Sequence, residues 1–148
     1  MMPLLDRRIE AKELEVLAAQ YQRQVARGHP STPTIFAYAK GMCRSKLADV
    51  QIGVRLLDEL LQQEHNSQLA PKIVFWQAYG NARLRNYDRA LALIDSLLLQ
   101  DDSEERSQDL KAEIEGRMKK DALLGAAVIG TGAAVLAGIV GGLYLLRK

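Results

Sequence analysis

A nucleophile, a proton carrier or a metal site in this chain would have to be assembled from Cys43, His29, His65 and the acidic run Asp101, Asp102, Glu104 and Glu105. A cysteine attacks as its thiolate and needs a histidine or another positive neighbour to ionise near neutral pH. Zinc sites built from Cys and His ask for ligand pairs a few residues apart. Cys43 lies far in sequence from both histidines, which adjoin the loop residues Pro30 and Asn66. As the only cysteine, Cys43 cannot form an internal disulfide, fits a reducing compartment and reads as a small apolar core residue. The acidic run stands where a helix begins, and carboxylates there complement the positive end of the helix. No glycine-rich loop ends in Lys-Ser or Lys-Thr, so a phosphate loop is missing as well. These residues point away from catalysis. No catalytic residue, metal or cofactor is expected.

Recognition is the other chemistry that side chains offer, and here the sequence is richer. Ile35, Tyr38, Met42 and Lys46 follow one another at spacings of three and four, and Phe75, Tyr79 and Arg83 at four. On a helix each set forms one stripe. Apolar and aromatic groups with a few cations suit a groove for a peptide or a helix. Two neighbouring helices must hold the stripes side by side for such a groove to exist.

The pattern of elements supplies those helices. No segment sustains the alternation of a strand, whereas helical spacing recurs. Leu14, Leu17, Tyr21 and Val25 lie on one face of a first helix, which Gly28 stops. Thr32 and Pro33 open a second, because proline is tolerated in a first turn. It ends near Ser45 or Lys46. A third runs from about Asp49 to Gln62, a fourth from Pro71 to Arg85 and a fifth from Tyr87 to Gln100. A sixth starts near Ser103 and presents Leu110, Ile114 and Met118 on one face.

The third and fifth helices are copies of each other. Gly53 to Leu61 matches Ala90 to Leu98 at an offset of 37, and the same offset pairs Tyr38 with Phe75 and Gly41 with Ala78. Two helix pairs with this period describe a repeat of the tetratricopeptide type, whose unit is about 34 residues. Small residues predict the close contacts inside the hairpins: Gly41 against Gly53, and Ala78 against Ala90. Two repeats cannot cover their own ends, so the first and sixth helices act as caps. The first helix of each pair lines the concave side, which places both stripes in one groove.

Residues Ala122 to Leu146 contain no charged side chain. As a helix this stretch would reach about 37 Å, enough to cross a hydrocarbon core of about 30 Å with some tilt. Arg117, Lys119 and Lys120 precede it, and Arg147 and Lys148 close the chain. The expected organisation is a cytosolic helical domain over 1–121, a transmembrane tail anchor over 122–146, and a basic tail at 147–148 across the membrane. Asp6, Arg7, Arg8 and Glu10 occupy the place where a signal peptide would need an apolar core. Eleven Leu, Ile and Val residues diluted by six glycines make the span only moderately apolar. With basic flanks, that composition suits a mitochondrial or peroxisomal membrane. Ala126, Gly130, Ala134, Gly138 and Gly142 stand four residues apart, and Gly138 with Gly142 forms a GxxxG pair through which two such helices could associate.

The chain has 20 Lys and Arg against 18 Asp and Glu. Setting aside Arg147 and Lys148 leaves 18 basic residues against 18 acidic ones, so the helical domain carries almost no net charge. Nucleic-acid binding requires clustered basic charge and is not expected.

Several segments in their order along the chain resemble the mitochondrial fission 1 protein family. They are Phe36-Ala37-Tyr38-Ala39, Arg44-Ser45-Lys46, Arg55 to Leu61, Gly80-Asn81, Leu84-Arg85-Asn86-Tyr87, and Met118-Lys119-Lys120-Asp121 running into the glycine-rich tail. The resemblance implies an all-α, six-helix bundle of two tetratricopeptide-like repeats on the outer mitochondrial membrane and on peroxisomes. It implies recruitment of a dynamin-related fission GTPase, directly or through adaptors. Carried over by position, the groove residues are Tyr38, Met42, Ser45, Lys46, Trp76, Tyr79 and Arg83. The resemblance also implies an N-terminal arm over the groove, here Met1 to Leu5 with Leu4 and Leu5 as apolar anchors. The chain departs from the family in having Leu47 where an aromatic residue is usual and Ala70-Pro71-Lys72 where an Arg-Asp pair is common. Two rival readings compete. A tail-anchored co-chaperone would clamp a peptide tail and needs several converging Lys, Arg and Asn residues. A membrane-embedded fusion or pore protein would work through its tail.

Overall fold

Six α-helices follow one another: α1 Ala11–Ala26, α2 Thr32–Cys43, α3 Leu47–Glu64, α4 Ala70–Arg83, α5 Tyr87–Gln100 and α6 Glu105–Ile129. The computed structural model describes the backbone of residues 2–129 and the side chains as far as Leu124. Each helix packs on its neighbour in the chain, and α2 also touches α4, which in turn touches α6. The three even-numbered helices therefore form an inner row, backed by α3 and α5. This is the all-helical, two-hairpin repeat that the period of 37 implies.

Leu57, Ile73, Ile94, Leu110 and Ile114 are fully buried, with Ala39, Ala78 and Ala90 between them. Each large aliphatic side chain so placed contributes about 1.5–3 kcal/mol. On α6, Leu110 and Ile114 face the core and Met118 is half-buried. On α1 the expected stripe is only half-buried and Val25 is exposed, because among the described residues α1 has α2 as its only helical neighbour.

The expected contact between Gly41 and Gly53 is not made. A Cβ at Gly41 would meet the methyl ends of Leu17, Ile9 and Leu14, so Gly41 faces α1 and the segment before it. Gly53 faces α2 at a different level: a Cβ there would stand 2.8 Å from the Ala39 carbonyl oxygen and 3.1 Å from the Cys43 nitrogen. The offset of 37 aligned the repeats correctly, but it carries no information about which side of α2 turns toward α3. Cys43 and Gly53 bring the backbones together, and the Cys43 Sγ also approaches Gly80 of α4. Burial pushes the Cys43 thiol up to about 12, so it stays protonated and unreactive at neutral pH.

Helix ends follow local chemistry. Ser31 caps α2 by accepting from the Thr34 amide at 3.3 Å. The end of α4 is a Schellman turn, in which Asn86 N–H donates to Asn81 O at 2.8 Å and Arg85 N–H to Ala82 O at 3.0 Å. Arg85 takes the left-handed position at φ 66°, where glycine is usual. α2 ends at Cys43, two or three residues earlier than the sequence suggests, because its last carbonyls find partners elsewhere. Arg83 donates to the oxygens of Cys43 and Ser45, and Ile9 N–H donates to Arg44 O. α6 opens at Glu105 because Glu104 accepts from the Ser107 amide at 2.7 Å, while Asp101 turns back to Ser103. The acidic run thus serves as a helix start, and among the described residues no group of His, Cys, Asp and Glu is placed to hold a metal.

α6 continues without a break past Asp121 to Ile129. Most of the apolar stretch, including Gly138, Gly142, Arg147 and Lys148, lies outside the described residues. Among the described residues no helix is long and apolar enough to cross a membrane.

Candidate partner-binding groove

The inner faces of α2, α4 and α6 bound a concave channel, and the protein's own N-terminus enters it. Before α1 the chain makes one 3-10 turn, Leu4–Asp6. Leu5 is driven into the channel and is 1% exposed. Glu113 of α6 receives both free amides of the turn, from Leu4 at 2.9 Å and from Leu5 at 3.3 Å. The Tyr79 hydroxyl of α4 donates to Leu4 O at 2.6 Å. Burial raises the Tyr79 hydroxyl above the ordinary phenol value, so it remains a donor throughout the physiological range. Arg117 pairs with Asp6 at 2.6 Å, and Arg8 donates to Ser45 O at 2.7 Å. The arm therefore spans residues 3–9, longer than Met1 to Leu5, and backbone bonds hold it as much as its leucines do.

Replacing Glu113 with Ala should free the arm while leaving the helices intact. Two amides held by a carboxylate contribute a few kcal/mol at most. Hydrogen exchange at Leu4 and Leu5 should speed up by about tenfold or more, with α2 to α5 unaffected. Unchanged exchange at both amides would mean that Leu5 burial alone retains the arm.

The stripes read from the sequence are distributed over three environments. Tyr38 turns away from the channel and stacks on Tyr21 of α1, with ring centroids 4.6 Å apart. That is a correction to its place in the stripe: α1 supplies an aromatic partner on that side of α2. Met42 and Tyr79 are buried at 5% and 2% exposure, and Ile35 is half-buried against the core. Arg83 is also buried, and its guanidinium terminates α2 instead of facing solvent. Burial, then the neighbouring Arg8, lowers its pKa. Ser45 bonds Asp49 at 2.7 Å to open α3, and Lys46 is exposed. Phe75 and Trp76 are buried to much the same degree as Met42 and Tyr79, at 7% and 5% exposure, but keep their place in the groove reading because a cavity opens onto them. They line a cavity of about 600 Å³ between α2, α4, the end of α5 and the start of α6, and no arm residue enters its lining.

Sequence reasoning missed the sixth helix as a wall. Arg106, Glu113 and Arg117 are spaced by seven and four, which places them on one stripe of α6. That spacing was a usable signal. Lys40 also escaped notice; it lies over the Trp76 ring at 5.3 Å. At the other end, Tyr87 hydrogen-bonds Asp121, and burial first and that bond second push its hydroxyl up to about 12. Lys119 and Lys120 are exposed beside it.

Two stacked helical hairpins with a cap at each end, and an inner face holding a segment of chain, define a tetratricopeptide-like repeat protein. The family profile described as the Fis1 C-terminal tetratricopeptide repeat matches residues 72–123. The FIS1-related protein fis-2 of Caenorhabditis elegans is 37% identical over 146 residues, covering 98% of this chain and 97% of that protein. The human mitochondrial fission 1 protein is 34% identical over 145 residues, covering 95% of each. The crystal structure of Fis1 from Saccharomyces cerevisiae superposes with a TM-score of 0.69 at 22% identity, over 84% of this chain and 97% of that one. Yeast Fis1 in complex with an Mdv1 fragment superposes equally well, at 19% identity, over 79% of this chain and 91% of that one. This chain belongs to the mitochondrial fission 1 family.

Proposed function

We propose that this chain is a non-enzymatic adaptor on the outer mitochondrial membrane that gathers the fission machinery through its concave groove. The observation that carries the reading is Leu5. A leucine from an irregular segment is seated in the channel, with Glu113 and Tyr79 satisfying the backbone around it. A surface that binds one such segment in cis is suited to bind another in trans. The yeast relative solved with an Mdv1 fragment supports a partner drawn from fission, either an adaptor or a dynamin-related GTPase. The groove set narrows to Ile35, Phe75, Trp76 and Tyr79, the last bonded to the docked arm, with Ser45 and Lys46 at the edge where Arg8 docks; Met42 and Arg83 are packed inside. The arm occupies part of this surface and lowers the affinity of any partner by the fraction of time it is bound.

The test is Leu5→Asp in the full chain, expressed in cells with a fluorescent fission GTPase or its adaptor. Ejecting the arm should raise recruitment to mitochondria severalfold. Unchanged recruitment, with exchange data showing the arm displaced, would remove the arm from control of the groove.

The apolar tail is the proposed anchor, with Lys119 and Lys120 on the cytosolic side and Arg147 and Lys148 beyond the membrane. Peroxisomal membranes are a second destination, and Gly138 with Gly142 a site of self-association. A moderately apolar span leaves little margin, so flanking charge should help to choose the membrane. Arg147→Glu with Lys148→Glu should shift the chain away from mitochondria; unaltered mitochondrial staining counts against that role for the charges.

A further inference from the structure

The open end of the groove has a chemistry of its own. Phe75 and Trp76 meet edge to face with centroids 5.4 Å apart. The Arg106 guanidinium stands 4.7 Å from the Phe75 centroid and 5.3 Å from that of Trp76. Lys40 approaches Trp76 at 5.3 Å, so two cations share one indole. Neither has a carboxylate partner among the described salt bridges. Burial lowers the Lys40 pKa, and Arg106, Arg44 and Lys72 lower it further, against Glu13 alone acting the other way. Asp101 and Glu104 at the rim are already engaged by Ser103 and by the Ser107 amide. The cavity therefore presents an aromatic floor under Lys40 and Arg106, which form no ion pair with the rim carboxylates Asp101 and Glu104.

The arm shows which ligand satisfies such a wall. Its sequence runs Leu4-Leu5-Asp6: Leu5 enters the channel and the adjacent Asp6 carboxylate pairs with Arg117 of α6. Arg106 lies on the same stripe of α6, and Phe75 and Trp76 offer the apolar surface beside it.

We propose that the open end takes an acidic peptide from the partner, an apolar side chain packing over Phe75 and Trp76 and an adjacent Asp or Glu carboxylate pairing with Lys40 and Arg106. This rests on the groove being the partner site and names the chemistry that the site selects. Charge-assisted pairs next to an aromatic floor would discriminate against neutral and basic peptides with the same apolar anchor.

The full chain, held in detergent micelles, is used to select from a random heptapeptide display library, and the peptide most enriched is then made synthetically. Trp76 is the only tryptophan, so its emission reports binding at this position directly. Selected peptides should carry Asp or Glu within about two positions of Leu, Met or Phe and shift the Trp76 emission. Lys40→Ala with Arg106→Gln should weaken the binding by about tenfold or more at an unchanged thermal midpoint, and Lys40→Arg should retain it. Four results would overturn the proposal: no enrichment, enrichment without carboxylates, equal binding to the double variant, or a preference for anionic lipid vesicles over every peptide. The same double variant is scored for recruitment in cells. Acidic selection that the variant abolishes supports the proposal even where recruitment is unchanged; that combination would instead remove the groove from recruitment and leave the ligand chemistry standing.

Discussion

Gly53→Ala should destabilise the helical domain by about 2 kcal/mol, while Gly41→Ala changes its stability by less than about 0.5 kcal/mol. Alanine in a helix is about 1 kcal/mol better than glycine, so both substitutions start with the same gain. What the new methyl meets decides the sign. At Gly53 it would stand 2.8 Å from the Ala39 carbonyl oxygen and 3.1 Å from the Cys43 nitrogen and Sγ. Those atoms belong to the backbone and first side-chain atoms of α2, which cannot yield without moving the helix. Overpacking of this kind costs typically 1–3 kcal/mol, occasionally more. At Gly41 the nearest atoms are terminal methyls of Leu17, Ile9 and Leu14 at 3.0–3.3 Å. They sit on a lightly packed helix and the segment before it, and rotate aside. Urea midpoints of the chain lacking residues 122–148 measure both. Equal midpoints for the two variants would show that α2 and α3 approach elsewhere than at Gly53.

Met42→Asp combined with Tyr79→Asp should unfold the domain, with a loss of about 4 kcal/mol or more. From the sequence alone the pair reads as a groove surface on which a carboxylate would block a partner without touching stability. The structure places Met42 at 5% and Tyr79 at 2% exposure, so both new carboxylates would be removed from water. Arg83 and Arg44 lie near Tyr79, but Arg83 is already committed to the carbonyls of Cys43 and Ser45 and so makes no direct pair with a new carboxylate. An uncompensated buried charge costs several kcal/mol, beyond the lost apolar contacts. Tyr79→Phe separates the two contributions. It keeps the ring and deletes the hydroxyl bonded to Leu4 O, so it should cost about 1 kcal/mol and loosen the arm. A double variant with the wild-type thermal midpoint would show that the arm leaves these side chains in solvent.

Helix number and order were legible because each helix writes its own signal. Thr32-Pro33 after Ser31, the acidic residues before Arg106 and the copied segments Gly53–Leu61 and Ala90–Leu98 all act within a turn or two of their position. The apolar face of α6, Leu110 and Ile114, was legible for the same reason. The small residues were legible as contacts but not as pairs. Gly41, Gly53 and Gly80 each mark a close approach, yet glycine has no side chain to tell which partner it serves.

The groove was half legible. Phe75 and Trp76 emerged from the register and the resemblance, whereas Tyr38 went to α1 and Arg83 to the end of α2. Those outcomes depend on Tyr21 and Ser45, which reach them only after the helices have packed. Residue order was enough to establish an all-helical repeat, a nearly neutral domain and an uncharged stretch over 122–146, because propensity, period and charge are local or additive properties. Packing of the helices is what makes α6 the third wall and lets Glu113 and Arg117 hold the arm. It also set Lys40 and Arg106 over one indole. These pairings join residues 30 to 111 positions apart in the chain, and no local energy term selects a contact at that separation until burial of the core has brought the two sides together.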